Sequence, residues 1–183
     1  NFYFFYMIGI FMVLYAIFRY FQQYSVRSFK NVGKWIGIFA VYSLIAVMIA
    51  AVILLPVILP VFGTDRFKVE NYVPLLYDKI YYEKYLGCLI GENMVHWGVA
   101  GYSAISMAGV FVLFSKRKKY TTLKAGFVLL NIFLLVPYAG HALNGFSYVC
   151  NRWIWAYGML ISYIFVKIYS ELFSLTLKEK RKI

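Results

Sequence analysis

Long runs of apolar residues constrain the fold of this chain more than any other feature. The bilayer offers no hydrogen-bond partners to backbone N–H and C=O groups, so a crossing segment must satisfy them internally, which a helix does over roughly 20 apolar residues. The sequence therefore predicts an all-α fold, a polytopic transmembrane helix bundle of about five spanning helices. The apolar runs cover residues 2–21, 35–62, 97–114, 123–140 and 153–177.

The composition agrees with a membrane protein and excludes other classes. Hydrophobic residues make up 63% of the 183 positions and charged residues only 14%, whereas a soluble domain is about half apolar and about a quarter charged. The net charge of +12 could suggest nucleic-acid binding. Its basic residues, however, cluster at the ends of the apolar runs, which is the topology signal of membrane proteins. We therefore expect no nucleic-acid partner.

The distribution of basic residues predicts how the helices are oriented. Residues 22–34, 115–122 and 178–183 are rich in Lys and Arg and nearly free of acids, whereas residues 63–96 and 139–152 carry fewer bases. Basic connections stay in the cytoplasm. The chain therefore begins outside and ends in the cytoplasm, and both of its polar connections lie on the outer face.

The first outer connection differs in composition from the rest of the chain. Residues 64–96 hold five of the seven acids, and Asp65 and Glu92 are either candidate bases or solvated charges. Within this segment Tyr77, Tyr81 and Tyr85 recur every four residues and so share one face of a helix. The pattern predicts a short outer interfacial helix lying on the membrane. A solvated loop containing a short helix is the alternative.

The second outer connection contains the strongest candidate site. The stretch from His141 to Trp153, which we call the link, holds a His, two Asn, an Arg and a Trp between two apolar runs. Polar groups are costly at the mouth of a helix bundle, so we expect an anionic partner. Arg152 could clamp a phosphate bidentately, or reach lipid headgroups as an interfacial anchor. Asn144 and Gly145 form a turn signal, so Asn144 either shapes the backbone or contacts the ligand.

The two histidines and two of the tryptophans belong to the same predicted outer face. His96 and His141 are the two histidines of the chain. Two are too few for a zinc site, so we predict no metal and a hydrogen-bonding role for each. Trp97 and Trp153 open apolar runs at the outer interface, where tryptophans anchor helices and could also stack on a sugar.

Other chemical signals are weak. Cys88 and Cys150 both fall on the predicted outer side, where a disulfide and two free thiols are the alternatives. The sequence contains no Gly-rich phosphate loop, nucleophile elbow or Cys-x-x-Cys pair, and we predict no cofactor. The chain opens in an apolar run without a signal-peptide pattern. We therefore expect residues 1–183 to be a single transmembrane region of a longer protein.

Several short blocks resemble the bacterial YfhO membrane protein family. They occur in the order of that family and cover essentially the whole chain, and the Asn-Gly-Phe-Ser-Tyr and Asn-Arg-Trp blocks are the most specific. The blocks are Asn1–Phe11, Leu54–Pro56, His96–Gly98, Gly101–Ala104, Leu143–Tyr148 and Asn151–Trp153.

The resemblance implies a function on the outer face of the bacterial cytoplasmic membrane. The family is assigned to the GT-C class of glycosyltransferases, which transfer a sugar from a polyprenyl phosphate to cell-envelope polymers such as teichoic acids. The implied partners are membrane lipids, the lipid-linked sugar phosphate donor and the polymer acceptor. The residues expected to bind substrate are Arg152, Asn144, His141, Gly145, Asn151, Trp153, His96 and Trp97.

Two functional hypotheses remain at this stage. In the GT-C class the catalytic acid usually lies in the first outer loop near the N-terminus of a much longer chain, so the catalytic residue stays unassigned here. The first hypothesis is therefore a portion of a lipid-linked sugar transferase. The second is a transporter or a lipid-binding membrane subunit without chemistry, for which an inverted repeat of the helix block would be the signature.

Overall fold

The computed structural model describes residues 2–23, 29–63, 72–90, 101–116 and 119–176. Within these ranges the chain forms helices joined by turns and short extended segments, and contains no strand. The all-α prediction is confirmed. In chain order the helices are α1 (Phe2–Gln23), α2 (Phe29–Phe62), α3 (Lys79–Ile90), α4 (Ser106–Ser115), α5 (Thr121–Leu135), α6 (Pro137–Leu143) and α7 (Ile154–Leu172).

The chain divides into two compact units, Asn1–Glu70 and Asn71–Ile183. Unit 1 consists of α1 and α2. The two helices meet through the aromatic rings of Tyr20 and Trp35, whose centroids lie 5.5 Å apart. No residue in the most apolar stretch of α2 is buried, and Val52 is 81% exposed. Such a surface is unfavourable in water and suits contact with lipid.

The core of unit 2 forms where α4 packs in parallel along α7. Gly109 permits the close approach, because a Cβ at this position would lie 2.9 Å from the Cα of Phe165. Small residues allow helices in membranes to pack backbone to backbone. Ile161, Ile164 and Ile168 of α7 are completely buried and recur at helical spacing along one face.

Helix α3 runs antiparallel along α5. The Tyr81 hydroxyl donates to the Leu134 carbonyl at 2.6 Å, and the Tyr85 hydroxyl donates to Asn131 one turn away. The predicted short helix is confirmed as α3. Tyr81 is buried and Tyr85 is half-buried on it, and the buried Tyr77 lies two residues before its start. The tyrosine contacts place two successive turns of α3 beside two successive turns of α5, in reverse order.

Two predicted spans are interrupted in the structure. The run 97–114 was predicted as one helix, but residues 101–105 are not helical and α4 has only 10 residues, about 15 Å at about 1.5 Å each, which is too short to cross a bilayer alone. The run 123–140 is broken at Val136, which is extended because proline disfavours helical geometry in the preceding residue. Helix α6 then leaves α5 at a bend of 97°.

The length and composition of the described helices identify two candidate membrane crossings, α1 and α2, and a third if the bent pair α5–α6 counts as one. Helix α7 has 19 residues but carries Lys167 and Glu171, and it does not meet the same criterion for apolar character. A crossing number of five remains a prediction.

Candidate functional site

The link begins at the end of α6, where the chain reverses direction. Gly145 and Phe146 both have left-handed backbone angles, with φ of 68° and 56°. The Phe146 N–H donates to the His141 carbonyl at 3.0 Å, which satisfies a carbonyl that the helix end would leave unpaired. The Asn144–Gly145 turn signal in the sequence therefore marks the end of α6, and Gly145 supplies the conformation that other residues disfavour.

Gly140, which directly precedes the link, lies against the far end of the link. No pattern in the sequence singled out this glycine. A Cβ at Gly140 would lie 2.9 Å from Asn151 Oδ1 and 3.2 Å from the Cys150 carbonyl oxygen. A side chain there would displace Asn151. The only sequence signal for this contact is a small residue following Pro137, and that signal does not specify its partner.

Asn151 is the centre of a buried hydrogen-bond network. Its Nδ2 donates to the hydroxyls of Tyr77 at 3.3 Å and Tyr81 at 3.2 Å, and its Oδ1 accepts from Trp153 Nε1 at 3.2 Å. Asn151 is 1% exposed and Trp153 is completely buried. Both were predicted to bind substrate, but in this structure their polar groups are engaged within the protein. Their contacts fasten the link to α3.

The tyrosines of this network are neutral. Burial raises the pKa of Tyr77 to about 12, although the hydrogen bond with Asn151 opposes the shift. The rings of Tyr77 and Tyr81 also stack, with centroids 3.9 Å apart. At neutral pH this part of the site therefore contributes hydrogen-bonding hydroxyls and an aromatic wall, and no charge.

Two polar atoms of the link lack a hydrogen-bond partner among the described residues: Asn144 Oδ1 and His141 Nδ1, both buried. The Asn144 Nδ2 donates to the Tyr148 carbonyl at 3.0 Å, and this contact fixes the amide orientation because a carbonyl can only accept. The open Oδ1 is therefore an acceptor. His141 lies three residues earlier, on the same helical face. Unpaired buried polar atoms cost roughly 1–3 kcal/mol each, so a water or ligand group is expected to meet them.

Arg152 supplies the positive charge of the site. It is half-buried and lies two residues before α7, and no side chain caps the N-terminus of that helix. Among the described residues no carboxylate forms an ion pair with it. It also interacts with Cys150, whose pKa is raised by burial, an effect that Arg152 opposes. A cation beside an uncapped helix N-terminus favours an anion.

Some predicted residues lie elsewhere. His96, Trp97, Asp65 and Glu92 fall outside the described residues. Cys88 and Cys150 are free thiols, the first half-buried and the second buried. Within the described ranges no group of three His, Cys, Asp or Glu residues is placed to hold a metal ion.

Two helices that are long and apolar enough to cross a membrane, in an all-helical chain, indicate a helical membrane protein. A comparison with family models matches residues 1–181 to the family described as bacterial membrane protein YfhO. The chain belongs to the YfhO family, as the sequence blocks predicted. No curated protein and no solved structure matches the chain.

Proposed function

We propose that this chain is part of a membrane glycosyltransferase that transfers a sugar from a polyprenyl-phosphate donor to a cell-envelope polymer on the outer face. The reaction class comes from the family resemblance. The observation that carries the assignment of the site is Arg152, a half-buried cation without a carboxylate partner in the described ranges. In this proposal the link binds the donor.

The donor phosphate would bind between Arg152 and the N-terminus of α7. The first N–H groups of a helix and its macrodipole favour negative charge, whereas an arginine alone at this end is unfavourable. A phosphate would stabilise both the helix N-terminus and the arginine. Its oxygens accept charge-assisted hydrogen bonds from the guanidinium in a bidentate arrangement.

Asn144 is assigned to the sugar and not to the phosphate. One of its two Nδ2 hydrogens is donated to the Tyr148 carbonyl. Its buried Oδ1, which has no partner among the described residues, would repel a phosphate oxygen because both are acceptors. A sugar hydroxyl is a donor that fits this atom. His141 Nδ1 on the same face can accept or donate, according to the tautomer, and so could bind a second hydroxyl.

We also propose that the chain crosses the membrane five times, beginning outside and ending in the cytoplasm. The crossings are α1, α2, the pair α3 and α4, then α5, and finally α7. Helices α3 and α4 have 12 and 10 residues, about 33 Å together at about 1.5 Å each, which matches a hydrocarbon core of about 30 Å. Tyr102 ties the two halves, because its hydroxyl donates to the Leu89 carbonyl at 2.7 Å.

A transporter or lipid-binding subunit is the second candidate function, and a specific observation favours it. Discontinuous helices that open backbone groups to a ligand are typical of transporters. This chain has a 97° break between α5 and α6, besides the division between α3 and α4. In this alternative the same link would bind a lipid phosphate without transferring its sugar.

The test replaces Arg152 in the intact protein and measures sugar transfer to the envelope polymer, at equal expression. Loss of one charge-assisted contact of roughly 1.5–3 kcal/mol predicts a decrease of about 10- to 150-fold for Arg152→Ala. Arg152→Lys keeps the charge without the planar guanidinium, so its rate of sugar transfer should lie between those of the wild type and Arg152→Ala. Arg19→Ala is the control, since Arg19 is an exposed arginine on α1.

The outcomes separate the candidates. Transfer by Arg152→Ala at the wild-type rate would show that Arg152 is a headgroup anchor, and the proposed site would be wrong. Movement of the lipid-linked sugar across the membrane without any transfer, lost in Arg152→Ala, would support the transporter.

A further inference from the structure

A second feature of unit 2 lies away from the link: an apolar cavity between α3, α4 and α5, with a volume of about 410 Å³. Eight of its nine lining side chains are apolar. The ninth is Ser115, whose hydroxyl donates to the Val112 carbonyl at 2.8 Å and so is already satisfied. The walls include Leu86 and Leu89 of α3, Val110 and Phe114 of α4, and Phe127 of α5.

The cavity reaches the end of α4, next to a cluster of lysines that we call the basic end. Lys116 follows Ser115 directly in the chain, and Lys124 lies three residues before Phe127 on the same face of α5. The two lysines meet, because the Lys124 ammonium donates to the Lys116 carbonyl. Cationic groups therefore border an apolar cavity.

One carboxylate partly neutralises this cluster. Glu171 lies 3.7 Å from Lys116 Nζ and 3.4 Å from Lys119 Nζ, and it accepts a hydrogen bond from the Tyr120 hydroxyl at 2.7 Å. Two lysines thus share a single glutamate, and Lys124 adds a third ammonium beside Lys116, so these four groups together carry a net positive charge. The Lys119 side chain is 69% exposed and can reach a ligand.

We propose that the cavity holds a hydrocarbon chain of an anionic phospholipid, with the headgroup phosphate at the basic end. An apolar cavity in a membrane protein is filled by hydrocarbon, and basic residues at the mouth of such a cavity select anionic headgroups. A zwitterionic lipid offers the same chains without the net negative charge. The basic end thus distinguishes between lipids that the cavity walls would accept equally.

This lipid site is separate from the proposed donor site. Arg152 precedes the first residue of α7, and Glu171 is next to the last residue of that helix. The 19 residues of α7 place the two sites about 28 Å apart at about 1.5 Å per residue. Phosphate binding at one end can therefore be lost without loss at the other.

The test measures binding of phosphatidylglycerol and of phosphatidylcholine with identical chains to the intact purified protein in mild detergent. Native mass spectrometry and the rise in Tm report the binding. Phosphatidylglycerol should bind more tightly to the wild type. Lys119→Gln should weaken it about fivefold, the effect of one charge near a membrane surface, and leave phosphatidylcholine unchanged. Lys119→Arg should bind as the wild type does.

Two controls make the result specific. Lys79→Gln removes an exposed lysine that also pairs with one glutamate, but at the other end of α3, and should not alter binding. Leu86→Trp fills the cavity from the exposed face of α3 and should abolish the preference, whereas Ile80→Trp, equally on α3 and exposed, should preserve it.

Three outcomes would overturn the proposal. The first is equal affinity for both lipids, which would mean that the basic end selects nothing. The second is unaltered phosphatidylglycerol binding in both Lys119→Gln and Leu86→Trp. The third is displacement of phosphatidylglycerol by a polyprenyl phosphate in the wild type and equally in Arg152→Ala, which would assign the cavity to the donor lipid.

Discussion

The two units of this chain treat polar groups in opposite ways. The most apolar stretch of α2 in unit 1 has no buried residue, and its surface is almost entirely aliphatic. Unit 2 places the amides of Asn151 and Asn131 among tyrosine hydroxyls in its interior. Asn131 accepts hydrogen bonds from Tyr85 and from Tyr157, the latter at 3.4 Å, and donates to the Phe127 carbonyl at 2.7 Å.

The difference indicates what stabilises each unit. An aliphatic helix surface in lipid gains little specificity from its surroundings, since lipid tails are as apolar as the side chains. A buried amide must be satisfied by particular partners, and its loss leaves them unsatisfied. Unit 1 should therefore tolerate replacement of its amides and glycines by apolar residues, whereas unit 2 does not.

The largest expected effect is the removal of the amide at the centre of the network. Asn151→Leu removes the hydrogen bonds that Asn151 makes with two tyrosine hydroxyls and one indole N–H, and should destabilise unit 2 by about 3 kcal/mol. Thermal unfolding in detergent measures the change. Asn31→Leu is the matched substitution on exposed α2 and should change stability by less than about 0.5 kcal/mol. Equal destabilisation by Asn151→Leu and Asn31→Leu would show that the two units do not differ in how they depend on their amides.

The next effect concerns whether α3 enters the membrane as the helices of unit 1 do. Single cysteines at Tyr72, Lys79 and Ile90, in a background without the native cysteines, are labelled on intact cells with an impermeant maleimide. We expect rapid labelling at the first two positions and at least about tenfold slower labelling at Ile90, because the reagent does not enter hydrocarbon.

The labelling pattern distinguishes three arrangements. Equal rates at Lys79 and Ile90 would mean that α3 lies flat on the surface, as the sequence predicted. No labelling at any of the three would refute the proposed orientation. A cysteine at Lys119 serves as the cytoplasmic control, since it should react only after the membrane is permeabilised.

The smallest effect contrasts two glycines and has opposite signs in the two units. Gly140→Ala forces Asn151 to move and should cost about 1–2 kcal/mol, as overpacking does. Gly37 lies in α2 with nothing within 4 Å of an added Cβ, so Gly37→Ala should stabilise that helix by roughly 0.5–1 kcal/mol. Stabilisation by Gly140→Ala would contradict the observed packing.

The sequence pattern was sufficient for features that depend on local periodicity. The runs 2–21 and 35–62 correspond to α1 and α2, and the spacing of Tyr77, Tyr81 and Tyr85 predicted the short helix α3, which contains the last two. The Asn144–Gly145 pair predicted the turn that ends α6. Each of these signals is contained within a few helical turns, so neighbouring residues specify it.

The remaining features depend on partners far along the chain. Apolar content cannot distinguish a continuous helix from a broken one, so the non-helical residues 101–105 were included in a span. The internal hydrogen bonds of Asn151 could not be predicted, because its partner Tyr77 lies 74 residues away and nothing in the sequence joins the two. For the same reason, the sequence did not reveal the importance of Gly140.

The contact between Gly140 and Asn151 has a consequence for how this family can change. The glycine leaves room for the amide, and the amide organises the two tyrosines, so neither position can accept a larger side chain while the other stays the same. Substitutions at the two positions should therefore be accepted in pairs: a relative with a larger residue at position 140 should carry a smaller one at position 151. Substitutions in and beside the link would then be correlated with one another, whereas those in α2 would be independent.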